Sequence, residues 1–263
     1  MGITELIRHF RQRIAERPVF GPFSKTSDPA IVETLGHAGF DFIILDTEHG
    51  PNSIETVQDL IRAAQLSQMA PIVRIPSGDY EMIGKALDVG AAGVQVPQIS
   101  CAEDVRAATE RAKFAPLGMR GVCRYVRAAG YSSMDKADYF RCANEALLII
   151  QIEGQEALDN LDEILAVDGI DIVFVGPYDL SQSLGVGGEV EHPLVIEKMK
   201  QIVEVCLDKN VFVGNFTETV GQAEMWTGHG VRYMSYSVDV GILYEAGKAL
   251  LSDFDRMRKH GGQ

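Results

Sequence analysis

Eight short apolar runs alternate with amphipathic segments along the 263 residues, and few architectures accept that rhythm. The runs lie at residues 19–23, 42–46, 71–75, 93–96, 147–153, 172–175, 211–216 and 232–237. Helical spacing fills the intervals at 29–37, 54–67, 80–87, 102–114, 155–167, 193–208, 220–228 and 241–260, after an opening amphipathic helix over 4–16. Each strand must reach its neighbour through a helical crossover, which makes the sheet parallel. Eight such units fit closure into a single (β/α)8 TIM barrel better than an open doubly wound sheet. A chain of this length and 46% hydrophobic content can bury that core as one domain, residues 1–263.

The fifth and sixth runs each lead to an acid. They are Leu147-Leu148-Ile149-Ile150-Gln151-Ile152-Glu153 and Ile172-Val173-Phe174-Val175-Gly176-Pro177-Tyr178-Asp179. Unbroken β-branched and aliphatic stretches belong to strands buried on both faces, so a carboxylate at the exit is out of keeping with packing. The crossover between them puts Glu153 and Asp179 at one edge of one sheet. Two oxygen ligands at the C-terminal ends of neighbouring parallel strands form a seat for a hard divalent cation, on the edge where such barrels carry their chemistry.

Charge and composition narrow the partners. A net charge of −13 repels phosphate backbones, and no Lys/Arg-rich tract offsets it, so nucleic acid is excluded as a partner. No apolar run approaches the ~18 residues of a membrane span, and the start has no signal-peptide core, so a cytoplasmic location is expected. Cys101, Cys123, Cys142 and Cys206 show no CxxC spacing and read as reduced thiols.

Other polar residues fall on the same rim. His49 follows the second strand in Asp46-Thr47-Glu48-His49-Gly50, and Arg74 lies in the third. Alone, a histidine after a strand is more often a hydrogen-bonded loop residue; a shared rim with Glu153, Asp179 and Arg74 favours a base. Arg74 is either a structural ion-pair partner or a donor to an anionic substrate oxygen. Asp88 reads, from its surroundings, as a turn residue closing the third helix of the alternation. The insertion 116–144 holds Arg124 and Arg127, and it is either a surface excursion or a segment that covers a site or meets another subunit.

Beyond these readings, Leu45-Asp46-Thr47-Glu48-His49-Gly50-Pro51-Asn52, Val73-Arg74, Leu87-Asp88-Val89-Gly90, Gly118-Met119-Arg120-Gly121, Gln151-Ile152-Glu153 and Val175-Gly176-Pro177-Tyr178-Asp179 resemble the HpcH/HpaI family of class II, metal-dependent pyruvate aldolases. The resemblance runs from about Val19 to the last helix. It implies cleavage of a 4-hydroxy-2-oxo acid to pyruvate and an aldehyde, with Mg²⁺, Mn²⁺ or Co²⁺ as cofactor. It implies metal ligands at Glu153 and Asp179, carboxylate donors at Gln151 and the Tyr178 backbone, a base at His49 and a transition-state stabiliser at Arg74, which also contacts substrate. Asp88 becomes the acid that raises the basicity of His49 from a neighbouring subunit of a homohexamer, with the apolar face of the last helix packed on another copy.

Three departures from the family pattern, Phe23, Lys25 and Tyr178, flank the expected substrate mouth and leave the aldehyde open. Lys25 is also the one rim lysine available to a Schiff-base mechanism. Oxaloacetate decarboxylation at the same site, or a barrel that binds a 2-oxo acid without cleaving it, are the alternative functions.

Overall fold

The computed structural model describes residues 2–260. Eight parallel strands close into a barrel in sequence order: β1 (Val19–Ser24), β2 (Phe42–Asp46), β3 (Ala70–Arg74), β4 (Gly93–Val96), β5 (Leu147–Ile152), β6 (Ile172–Val175), β7 (Phe212–Thr217) and β8 (Tyr233–Val238). Helix α1 (Ile3–Glu16) lies across the N-terminal face, where Leu6, Ile7, Phe10 and Ile14 are buried. The Phe10 ring meets Phe42 edge-on at 6.1 Å, and Phe42 stacks on Tyr233 at 4.0 Å. This plug fills the bottom of the barrel, and the barrel opens at the strand C-termini.

Around the barrel run α2 (Pro29–His37), α3 (Ile54–Leu66), α4 (Glu81–Asp88), α5 (Ala102–Ala112), α6 (Lys136–Ala143), α7 (Gln155–Asp159), α8 (Leu161–Ile164), α9 (Pro177–Ser183), α10 (Pro193–Asp208), α11 (Val220–Gly228) and α12 (Asp239–His260). Side chains on the inner faces of the strands alternate with those facing the helices, so Phe42, Ile44, Ile72, Leu147, Ile149, Ile172 and Phe174 form one buried cluster. Their outward neighbours, among them Ile43, Leu45, Val73, Leu148 and Val173, pack on the helices in another.

The structure departs from the sequence expectation in three places. The helix expected over 155–167 divides at Asn160 into α7 and α8, and the Asn160 side-chain amide there donates to the Ser100 carbonyl at 3.0 Å. Helix α9, directly after β6, was not anticipated. The insertion is not irregular throughout: Asp135 caps α6 by accepting from the backbone of Ala137 and Asp138. Beyond its first turn, α12 leaves the barrel, with Leu243, Tyr244, Leu250, Leu251, Phe254 and Met257 all exposed. Among the described residues no helix is long and apolar enough to cross a membrane, and the four cysteines are free.

Candidate active site

At the C-terminal end of β2 the inward alternation brings Asp46 into the barrel, and the register pairs it with Arg74 on β3. Asp46 is fully buried, yet its carboxylate accepts from Arg74 Nε at 2.9 Å, from Arg74 Nη2 at 2.7 Å, from Lys25 Nζ, and from the backbone of Glu48 and His49. Burial pushes its pKa up, but the two cations and their hydrogen bonds outweigh that and hold it at about 2. The third guanidinium nitrogen, Arg74 Nη1, pairs with Glu48 at 3.2 Å, and the Phe23 ring covers the guanidinium at 4.7 Å. Bidentate pairing, a second carboxylate and an aromatic face leave Arg74 one orientation.

Across the barrel, Glu153 stands one residue past β5 and is buried. Its Oε1 accepts from the Gln98 backbone at 2.8 Å and its Oε2 from Gln151 Nε2, while Gln151 Oε1 accepts from Gln95 Nε2 at 2.8 Å. Desolvation raises the Glu153 carboxyl to about 7, opposed by the Gln151 and Gln98 donors and reinforced by the charges of Asp179 and Glu48. Glu48 is raised as well, first by burial and then by Asp46 and Asp179, against the pull of Arg74. Asp179 enters from the first turn of α9, which Pro177 starts at the favoured position. Glu48, Glu153 and Asp179 therefore repel one another, and while Arg74 pairs with Glu48, no basic side chain pairs with Glu153 among the described residues.

The oxygens of Glu153 and Asp179 suit a hard cation. No group of three His, Cys, Asp or Glu side chains among the described residues is placed to hold a metal, so Glu153 and Asp179 would leave most of an octahedral shell to water and substrate oxygens. Gly176 keeps the seat open: a Cβ there would stand 2.5 Å from Glu153 Oε2 and 3.1 Å from Gln151 Nε2. Gly176→Ala is thus expected to displace the Glu153 carboxylate. We expect Mn²⁺ affinity, read by calorimetry, to fall by roughly tenfold or more on the scale of a disturbed ligand shell, with circular dichroism unchanged; parental affinity would contradict the placement.

A cavity of about 380 Å³ opens between these two halves, and Phe23, Lys25, His49, Arg74, Gln151, Asp179, Tyr178 and Glu218 all line it. His49 faces it with 65% of its side chain exposed, Nε2 3.9 Å from Glu48. Asp88 does not join them. It lies where α4 feeds the start of β4, on the opposite face of the barrel, and pairs with Arg120 at 2.6 Å. Arg124 and Arg127 are not among the cavity's lining either. Arg124 donates to the carbonyl of Met134 at 2.8 Å and Arg127 to that of Val89 at 3.1 Å, so within one chain neither can recognise a distal carboxylate of a substrate. Sequence reasoning gave Asp46, Glu48 and Glu218 no role. For Asp46 and Glu48 the signal was present: Asp46 shares the inward parity of Phe42 and Ile44, and it ends a strand next to the Arg74 strand.

A closed (β/α)8 barrel with acids, a guanidinium and an imidazole converging on one C-terminal cavity is the architecture of an enzyme. The sequence profile of the HpcH/HpaI aldolase/citrate lyase family matches residues 20–246, and the chain belongs to that family. It is 34% identical over 244 residues to a hydroxypyruvate/pyruvate aldolase of Roseobacter denitrificans, covering 92% of this chain and 94% of that protein. It is 32% identical to a 5-keto-4-deoxy-D-glucarate aldolase of Shigella boydii, over 94% of this chain and 96% of the relative. A family member from Burkholderia cenocepacia superposes with a TM-score of 0.88 at 30% identity, over 96% of this chain and 99% of that one. These curated relatives are aldolases, carbon–carbon lyases.

Proposed function

We propose that this chain is a divalent-metal-dependent aldolase that cleaves or forms a 4-hydroxy-2-oxo acid, with pyruvate and an aldehyde as the two fragments. The reading rests on the buried Glu153, which shares its surroundings with Asp179 and Glu48 and has no basic partner in the described structure. Glu153 and Asp179 would hold Mg²⁺, Mn²⁺ or Co²⁺. When bound, the cation supplies a Lewis acid that polarises the 2-keto group and carries enolate charge. Gln151 and the backbone at Tyr178 would anchor the substrate carboxylate. Arg74, locked by Asp46, Glu48 and Phe23, presents a fixed positive charge to the enolate oxygen. His49 takes the proton from the C4 hydroxyl as the C3–C4 bond breaks and returns it to the aldehyde in the reverse direction.

Lys25 is a poor Schiff-base nucleophile in this arrangement, since its Nζ is committed to the Asp46 carboxylate. Borohydride with pyruvate should leave the chain unmodified, while EDTA removes activity and Mn²⁺ restores it. An adduct at Lys25, or activity indifferent to EDTA, would overturn the metal reading.

The site as proposed is complete only in an oligomer. Asp88 lies too far round the barrel to serve the His49 of its own chain, and the exposed apolar face of α12 is of the kind that marks an interface. A hexamer in which Asp88 serves a neighbour's His49 belongs to this proposal. Sedimentation at assay concentration tests it, and a fully active monomer would refute it.

A further inference from the structure

The cavity is not lined by polar groups alone. Its wall is aromatic: Phe23 lies 6.1 Å from Phe174 and 6.0 Å from Phe216, and Phe216 lies 6.2 Å from Tyr178. Among the charged groups that line it, Lys25 and Arg74 are both bound to Asp46, and Arg74 also to Glu48. Asp179 is the proposed cation ligand, and His49 the proposed base. That leaves Glu218, which follows β7 and forms no ion pair among the described residues. Its Oε2 accepts the Tyr178 hydroxyl at 2.6 Å, and its own N–H is held by Gln222 at 2.9 Å.

We propose that Glu218, held in place by Tyr178, is a specificity-determining residue that admits uncharged hydroxylated aldehydes and turns away aldehydes carrying a carboxylate. The inference rests on the aldolase reading and extends it to the second substrate. A hydroxyl on the incoming aldehyde donates to the unpaired lone pairs of Glu218 in a charge-assisted hydrogen bond, while its carbon chain lies on the aromatic wall. A carboxylate in the same position meets like charge, a repulsive element of the sort that sets specificity more sharply than added attraction. Its other recourse is Lys25. The Lys25 charge is already shared with the buried Asp46, so it offsets only part of that repulsion.

The test compares glyceraldehyde with tartronate semialdehyde, which replaces its CH₂OH by a carboxylate, each with pyruvate and Mn²⁺. The quantity read is the ratio of their kcat/KM values, in which any change to the pyruvate half cancels. The parent should favour glyceraldehyde by at least about tenfold, and Glu218→Gln, which keeps the shape and an acceptor for Tyr178, should reduce that preference by about tenfold. Added salt should narrow the ratio in the parent and leave it in E218Q, since screening acts on the charge alone. A parental preference for the carboxylated aldehyde, or a ratio unmoved by E218Q, would overturn the inference. Exchange of the pyruvate methyl protons in D₂O, with no aldehyde present, separates the two levels. Parental exchange with an unmoved ratio removes only the role of Glu218, whereas its absence removes the aldolase reading and this inference with it.

Discussion

Glu153→Gln is expected to be the more stable protein at pH 8 in the absence of divalent cation, and to lose activity by a factor on the order of 10²–10³, the scale of removing a positioned electrostatic group. The two effects have one origin. The Glu153 carboxyl is raised from 4.5 to about 7 in the folded chain, so below pH 4.5 folded and unfolded forms are both protonated and the group contributes nothing. Between 4.5 and 7 the unfolded chain ionises while the folded one does not, and folding is progressively disfavoured. Above 7 the full penalty stands, roughly 3 kcal/mol. Glutamine removes it.

The surroundings accommodate the amide. Gln95 Oε1 is buried and accepts nothing, so turning the Gln151 and Gln95 amides together presents an oxygen to the new amide hydrogens and restores the chain Gln95–Gln151–Gln at 153. Thermal melts of parent and variant at pH 5 and pH 8, with and without Mn²⁺, read the outcome. The variant's advantage should be present at pH 8, small at pH 5, and offset by Mn²⁺, which stabilises only the parent. A variant that melts below the cation-free parent at pH 8 would mean that Glu153 is not held as an electrostatically strained carboxylate.

That strain was only half legible in the sequence. The barrel and nearly all its strands follow from runs such as Leu147–Ile152 and Ile172–Val175, because a strand buried on both faces leaves a continuous apolar signature. Glu153 and Asp179 stood out for the opposite reason, as charges at the ends of such runs. Asp46 also ends a run, but with no second acid on a neighbouring strand to mark it. A carboxylate in a buried strand reads as an ordinary terminus until the β2–β3 register sets it beside Arg74, and register between strands is a property of the closed barrel rather than of either segment. Helix α9 escaped because seven residues show too little periodicity to register, although its Gly-Pro start is a recognisable signal. Glu218 lies in a loop, where nothing local distinguishes a substrate-facing acid from a solvated one.

Asp46→Asn should therefore cost more stability than any single site residue chosen from sequence alone, and should lower the rate as well. Asn presents one oxygen to a set of donors that now use two, and its amide hydrogens confront Arg74 or Lys25. Lys25 is partly exposed and can turn to water; Arg74, almost fully buried, keeps only Glu48. Leaving a buried cation underpaired is expected to cost about 3 kcal/mol, a fall of roughly 5–10 °C in Tm. Part of this depends on pH in a definite sense. The Asp46 carboxyl is depressed from 3.8 to about 2, so its ionic contribution is complete above pH 4 and is lost as pH falls toward 2. The gap between parent and variant in denaturant titrations should accordingly narrow between pH 4 and pH 2. In catalysis, a guanidinium freed from its bidentate clamp no longer meets the enolate oxygen in a fixed orientation, and kcat should fall on the order of 10². Mn²⁺ affinity should stay at the parental level, because Glu153 and Asp179 are not among the groups Asp46 binds. Parental kcat in a folded D46N protein would show that the Asp46 clamp does not position Arg74 for the reaction. A matching loss of Mn²⁺ affinity would instead make Asp46 part of the cation seat.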